Sequence, residues 1–447
     1  MIPLSIKQIP IDVSKVAEGM YVSKLDRPWL ETPFIFQGFE IREQAEIDML
    51  QRYCSMVYID AERGQLSDDQ VRRLIQMQRQ PRKSSPQQPS RRKAKEPGKL
   101  IRWLQKLLTR IGLYRQAVTL ASSGQEGYRI QTTVRAEADA ARDAYRTLAK
   151  HHKQMMDRAT IRGNVHTGEL RRAVQPAIDS VLRNPNALAW TVFSRKRSSE
   201  KYNRSVGTAI WCLMFGRHLN FDRDMLEDLA MGGMLLDIGN SMLPKSIAAT
   251  SGAITEEHKN LLRQHAEFGA KILADSQGVA QPVADMVRCH HERFDGSGYP
   301  QGVLGNQIPP FGRIAGIADC YDAMTSETPY SKPMAAYDAA RALNDMRGRD
   351  FATEVVEQFL ATMGMFPVAS LVELNEGSVA VVLEQNPNNV LRPKVLLLLD
   401  QNRTPLPQPR VVEMRDLPLD ATQSGALWIV SGHEHGAFGI DPAKIFK

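Results

Sequence analysis

At 447 residues with a 43% hydrophobic composition, the chain is long enough for two or three domains, each with its own core. No stretch reaches the roughly 20 apolar residues that cross a bilayer. The start, Met1-Ile2-Pro3-Leu4-Ser5-Ile6-Lys7, has no signal-peptide pattern, so a soluble cytoplasmic protein is expected. The net charge of +7 is uneven: Arg72 to Arg115 hold 14 Lys or Arg against Glu96 alone, so this segment carries +13 and the rest −6. Cys54, Cys212, Cys289 and Cys320 form no CxxC pair, which suits a reducing compartment, and Cys289 and Cys320 read as buried inert thiols.

Residues 1–65 mix β-rich runs, Gly19-Met20-Tyr21-Val22-Ser23 and Met56-Val57-Tyr58-Ile59-Asp60, with turns, which predicts a small α+β domain. Residues 66–130 form a basic linker. Its first part, to 98, is too rich in Gln, Arg, Lys, Ser and Pro to bury a core and is expected to be disordered. Within it, 99–113 places Leu100, Ile101, Trp103, Leu104, Leu107, Leu108 and Ile111 opposite Arg102, Lys106 and Arg110. Such a helix either lies weakly on an anionic membrane or in a partner's groove, or docks on its own protein with its basic side facing water.

From 132 to 365 the pattern is helical, with a turn at Asn184-Pro185-Asn186. Beyond Pro367 the style becomes β: Ser370 to Glu373, Ser378 to Leu383 and Val395 to Leu399, with turns at Asn375-Glu376-Gly377 and Asn386-Pro387-Asn388-Asn389. A β-rich extension is expected over 367–447. His433 and His435 are spaced like metal ligands but have no third candidate nearby, so they read as an exposed loop. The predicted fold class is mainly α: an all-α module between a small α+β domain and a short β extension.

Chemistry concentrates in His290-His291-Glu292-Arg293-Phe294-Asp295-Gly296-Ser297-Gly298-Tyr299-Pro300. Neutral imidazoles suit borderline transition metals, and Gly296 and Gly298 allow a tight turn and close backbone approach to a bound group. The stretch resembles the signature of the HD-GYP family, metal-dependent hydrolases of the bacterial second messenger cyclic di-GMP. The order and spacing of Gln301-Gly302, Gly305, Ile308-Pro309, Arg313-Ile314 and Ala318-Asp319-Cys320-Tyr321-Asp322-Ala323-Met324-Thr325-Ser326 extend that resemblance. Upstream, Gly19-Met20-Tyr21-Val22, Trp29-Leu30, Pro33-Phe34 and Gly38-Phe39 resemble the uncharacterised domain that precedes HD-GYP domains in many proteobacteria.

The resemblance implies a helical HD-type domain and a metal site. Residue by residue, His265 matches the family's lone His, His290 and His291 its double His, Asp319 its later Asp, and Asp237 the Asp of its His-Asp pair, which is also the catalytic candidate. Alone, a histidine on an apolar helical face such as that of His265 or His290 is more often a satisfied core residue than a ligand. The motif order reverses that expectation. Gly296, Gly298, Tyr299 and Pro300 are implied to approach the dinucleotide, and Arg313 to pair with a phosphate.

Two histidines of the pattern are missing. Leu236-Asp237-Ile238-Gly239-Asn240 carries Leu for His and Asn for Lys, and Arg204 stands where the family has its first His. Glu200, four residues earlier, either supplies a carboxylate or is ordinary surface. The usual Arg-Pro-Tyr-Arg appears as Thr328-Pro329-Tyr330-Ser331. The retained ligands gather around one position, so one divalent ion (Fe, Mn, Zn or Ni) is expected and not a full cluster. Arg204 either places a fixed positive charge near a missing metal, where its fork meets phosphate, or simply reaches solvent. An active phosphodiesterase therefore competes with a weak or inactive member that binds cyclic di-GMP or a partner such as a diguanylate cyclase, and the two losses favour the second. The +13 segment supports no specific nucleic-acid recognition.

Overall fold

The computed structural model describes residues 8–26, 39–41, 44–60, 128–195, 204–244, 255–326, 333–386, 389, 391–418, 425–434 and 436–445. The expected disorder of 66–98, the helix at 99–113, Glu200 and Thr328 to Ser331 lie outside the described residues. The chain divides into two compact units, 1–112 with 417–427 and 113–416 with 428–447. Among the described residues no helix is long and apolar enough to cross a membrane.

In the first unit, strands β1 (Gln8–Asp12), β2 (Tyr21–Leu25) and β3 (Phe39–Glu40), helix α1 (Gln44–Tyr53) and strand β4 (Met56–Asp60) form an α+β arrangement with sheet order β1-β4-β2-β3. Alternation along the strands sends Ile9, Ile11, Val22, Val57 and Ile59 to one core, which Ile47 and Leu50 of α1 close.

The second unit is mainly helical. Helices α2 (Val134–Arg162), α3 (Thr167–Arg183), α4 (Pro185–Arg195), α5 (Arg204–His218) and α6 (Arg223–Leu235) lead to a 3-10 turn at Ile238–Met242. Then follow α7 (Glu256–Arg263), α8 (His265–Ala274), α9 (Gln281–Cys289), α10 (Pro310–Thr325), α11 (Ala336–Asp345) and α12 (Thr353–Met363). The start and stop of α2 are set locally: the Thr133 hydroxyl accepts from the Ala136 N–H, and Gly163 ends the helix at φ 67°. Leu170, Ala173, Val174, Ala177, Ile178 and Val181 give α3 one buried stripe at helical spacing. By contrast α5 is buried from Ser205 to Gly216, as a central helix must be.

Aromatic side chains fill the middle. Trp211 on α5 meets Tyr321 on α10 edge-on at 5.6 Å, Tyr321 meets Phe359 on α12 at 5.5 Å, and Phe359 meets Phe215 at 5.3 Å. Burying each such ring stabilises the fold by about 1.5–3 kcal/mol. The indole N–H of Trp211 donates to Asp322 at 2.8 Å, which joins this core to the chemistry beside it.

Strands β5 (Leu371–Leu374), β6 (Val379–Glu384), β7 (Lys394–Leu399), β8 (Pro405–Glu413) and β9 (Ile429–His433) make an antiparallel sheet in the order β8-β7-β6-β5-β9. Tyr337 of α11 stacks on Phe366 at 5.1 Å, and Gly432 of β9 lies against Tyr337. His433 ends β9 and is not part of an exposed loop: its Nε2 is 2.9 Å from Glu373 Oε2, because the β5–β9 pairing brings that carboxylate alongside.

Candidate metal centre

Close backbone approach builds the site. A Cβ added at Gly239 would overlap the His265 carbonyl, so only glycine there lets the turn after Asp237 press against the start of α8. One added at Gly316 would lie 2.8 Å from the His290 carbonyl, which sets α10 against the end of α9. These two contacts draw Asp237, His265, His290 and Asp319 in from four elements.

The nitrogens of His265, His290 and His291 that face one another all lie within 4.8 Å. His265 Nδ1 donates to the Leu262 carbonyl at 2.6 Å and His290 Nδ1 to the Val287 carbonyl at 3.0 Å. A carbonyl only accepts, so both protons are assigned to Nδ1, and both Nε2 atoms present lone pairs. Those two Nε2 atoms are 3.2 Å apart. Two acceptors facing each other at this distance repel unless a cation lies among them, and this donor set fits a divalent transition metal. Burial pushes His290 down to about 4, with His265 adding to the shift, and burial together with His290 and His265 pushes His291 well below its ordinary value. Both rings are therefore held in the neutral form that a metal ligand needs.

Asp237 Oδ1 is 3.7 Å from His265 Nε2 and accepts from Asn240 Nδ2 at 3.2 Å. Burial alone would raise this carboxyl, but His265, Arg204, His290 and His152 outweigh it and hold it below its ordinary value. His152, on α2, is a residue that the sequence reading did not single out. Burial pushes it down to about 4 against the pull of Asp237.

Asp319 is engaged elsewhere. Arg204 Nη2 donates to Asp319 Oδ1 at 2.8 Å, and Arg204 Nε is 3.8 Å from Asp322 Oδ2. Asp322 is fully buried and also accepts from Trp211 Nε1 and, at 3.2 Å, from the Ser326 hydroxyl. Burial pushes Asp319 up to about 6 despite Arg204, with Asp237 and Asp322 adding to the rise. Arg204 thus neither reaches only solvent nor points its fork at open space. Leu236 is packed at 1% exposure, inside the core beside Asp237.

The loop after the double His is held by Glu292, whose carboxylate accepts from the Gln301 and Val303 N–H groups at 2.8 and 2.9 Å. Gly296 adopts φ 78°, Gly298 fits against the Glu292 and Arg293 backbone, and the Tyr299–Pro300 peptide is cis. The Tyr299 ring stacks on His291 at 4.5 Å with an interplanar angle of 27°. Arg313 meets Asn306 Oδ1 at 3.1 Å and lines a cleft with Phe294, Asp350, Phe351 and Val355.

Comparison with known proteins matches 186–355 to an HD domain, 8–170 to a domain of unknown function, and 371–421 to a KOW domain associated with HD domain. A cyclic di-GMP phosphodiesterase of Pseudomonas aeruginosa is 36% identical over 238 residues, 53% of this chain and 56% of that protein. Residues 186–355 thus match an HD domain, and the chain is similar to cyclic di-GMP phosphodiesterases of the HD-GYP family. A cyclic di-GMP phosphodiesterase of Thermotoga maritima is 37% identical over 136 residues, 30% of this chain and 37% of the relative. A cyclic di-GMP phosphodiesterase response regulator of Xanthomonas campestris pv. campestris is 32% identical over 148 residues, 33% and 39%. The alignments span little more than half, or less, of the length of these relatives. HD-domain phosphodiesterases are metal-dependent, and the three facing imidazoles of this chain are compatible with that requirement.

Proposed function

We propose that this HD-GYP chain is a cyclic di-GMP signalling protein that binds the dinucleotide, holds one divalent transition metal, and is a weak or inactive phosphodiesterase. The observation that carries this reading is the Arg204–Asp319 ion pair. A carboxylate suited to a second metal is bound to a permanent cation, and Leu236 offers no ligand in place of the second missing histidine. Asp237, His265, His290 and His291 would hold the single ion. Bound there, a metal supplies Lewis acidity and an activated water.

The chain's own groups then do the following. The Leu262 and Val287 carbonyls keep the two imidazoles oriented with Nε2 inward. Asp237, held ionised, accepts a proton from a water directed at the phosphorus. Tyr299, stacked on His291, covers one side of the site. Asp319, which would hold a second metal, is instead engaged by Arg204, which also stands beside Asp322. Cyclic di-GMP is the ligand in this reading, and other signalling proteins, a diguanylate cyclase among them, are the partner class.

A second reading, an active phosphodiesterase working with one metal, is favoured by the neutrality of His290 and His291. Elemental analysis of the purified full chain, paired with calorimetric titration of cyclic di-GMP, tests the proposal. One metal per chain and measurable binding are expected. Two or more tightly held metals, or no binding at high micromolar dinucleotide, would overturn it.

A further inference from the structure

We infer that Arg263, at the rim of the histidine cluster, is the cation that recognises a phosphate of the dinucleotide. The inference rests on the cyclic di-GMP reading above and concerns a residue that the motif does not include.

Several arginines surround the site. Arg204 is committed to Asp319 and Asp322. Arg293 donates to the His290 and Glu292 carbonyls at 3.3 and 3.0 Å and lies over the Phe351 ring at 5.1 Å. Arg313 faces Asn306. Arg263 differs from all three. It is exposed, and among the described residues no carboxylate or carbonyl takes its guanidinium.

It is nonetheless held in place. The Arg263 guanidinium lies over the Tyr299 ring, 5.5 Å from its centroid, and that ring stacks on His291. A stack of guanidinium, phenol and imidazole therefore runs from the rim to the candidate metal ligands. Arg263 ends α7, and Gln264 alone separates it from His265. The same turn that carries a ligand thus fixes this cation. Tyr299 occupies one face of the guanidinium and leaves its N–H edge for a ligand, and that fork suits phosphate oxygens. A dianionic dinucleotide that places one phosphate by the imidazoles needs a positive charge for the other, and Arg263 supplies one.

Calorimetric titration of cyclic di-GMP at low ionic strength into the full-length wild-type, Arg263→Ala and Arg263→Lys proteins tests this, with metal content and melting temperature measured on each. Arg263→Ala is expected to bind about 10-fold more weakly, the equivalent of one charge-assisted hydrogen bond at an exposed position. Arg263→Lys, which keeps the charge but loses the stacked fork, is expected to bind between wild type and Arg263→Ala, with metal content and melting temperature unchanged in both variants. Equal binding by wild type and Arg263→Ala would overturn the assignment and leave the dinucleotide reading standing. Arg263→Lys binding as weakly as Arg263→Ala would overturn it in favour of stacking on a base. A loss of binding accompanied by metal loss would overturn it in favour of a structural role. No binding by wild type would overturn both this inference and the reading beneath it.

Discussion

Arg204 and Asp319, 115 residues apart in the chain, meet at 2.8 Å, so a carboxylate that the motif marks as a metal ligand is neutralised from within the fold. The same guanidinium stands 3.8 Å from the fully buried Asp322. One fixed cation thereby serves two acids at once.

Removing that cation leaves the pair uncompensated. Arg204→Ala is expected to cost about 1–3 kcal/mol, below the usual figure for a broken buried pair because Arg204 is 37% exposed. Thermal melts with and without added Mn2+ check it. The variant should melt lower than wild type and gain more from the metal, since Asp319, released from Arg204, is then available to a divalent ion.

Metal retention depends on the imidazoles. His290→Ala is expected to weaken metal binding by at least about 100-fold, because a direct ligand is worth more than the outer groups whose loss costs 10- to 100-fold. Dialysis followed by elemental analysis reads the loss. Asn240→Ala, which removes a hydrogen bond to Asp237 and no ligand, should lose far less.

Restoring both histidines should restore chemistry. Leu236→His with Arg204→His is expected to hydrolyse cyclic di-GMP faster than wild type, and each single change less so, because Arg204 still blocks Asp319 in one and Leu236 still offers no ligand in the other. Placing an imidazole at the packed Leu236 position should cost about 1–3 kcal/mol without metal. The gain is therefore best read at saturating Mn2+.

Acid should destabilise the metal-free protein. Burial holds His152 and His290 down to about 4 in the fold, whereas they titrate near 6.5 when unfolded. The folded state binds fewer protons between these values, so their contribution is complete above about 6.5 and is lost as pH falls towards 4. Asp319, raised to about 6, works the other way: its contribution is present at low pH and lost as pH rises through 6. His291, also held well below its ordinary value, acts in the same direction as His152 and His290, so three histidines against one carboxyl give a net fall in melting temperature from about pH 6.5 to about 4.5. His152→Gln should flatten that profile, and an unchanged slope would contradict the assignment.

The sequence showed the mainly α class and the double histidine plainly, because both are written in local order. The strand Met56–Asp60 and the strands β5 to β7 follow runs of β-rich residues between turns. Strand β8 was missed because Pro405, Pro407 and Pro409 read as breakers, although an edge strand tolerates prolines whose nitrogens face away from the ladder. In the site, His265, His290 and His291 were readable from motif spacing and are brought together. The partnership of Arg204 was not, since it depends on how α5 packs against α10. Asp322 carried one usable signal, lying one helical turn after Asp319. His152 carried none, because a His-His pair inside an ordinary helix looks like surface until the fold places it near Asp237.

In the proposed function, the closed Arg204–Asp319 pair and the missing histidines leave a site that binds the dinucleotide and scarcely cuts it. Turnover of cyclic di-GMP by the metal-loaded wild-type protein at saturating substrate tests this most directly. The expected rate is well below about 1 s⁻¹, the lower end of ordinary enzyme turnover. Sustained hydrolysis at or above that rate, abolished by His290→Ala, would contradict the account.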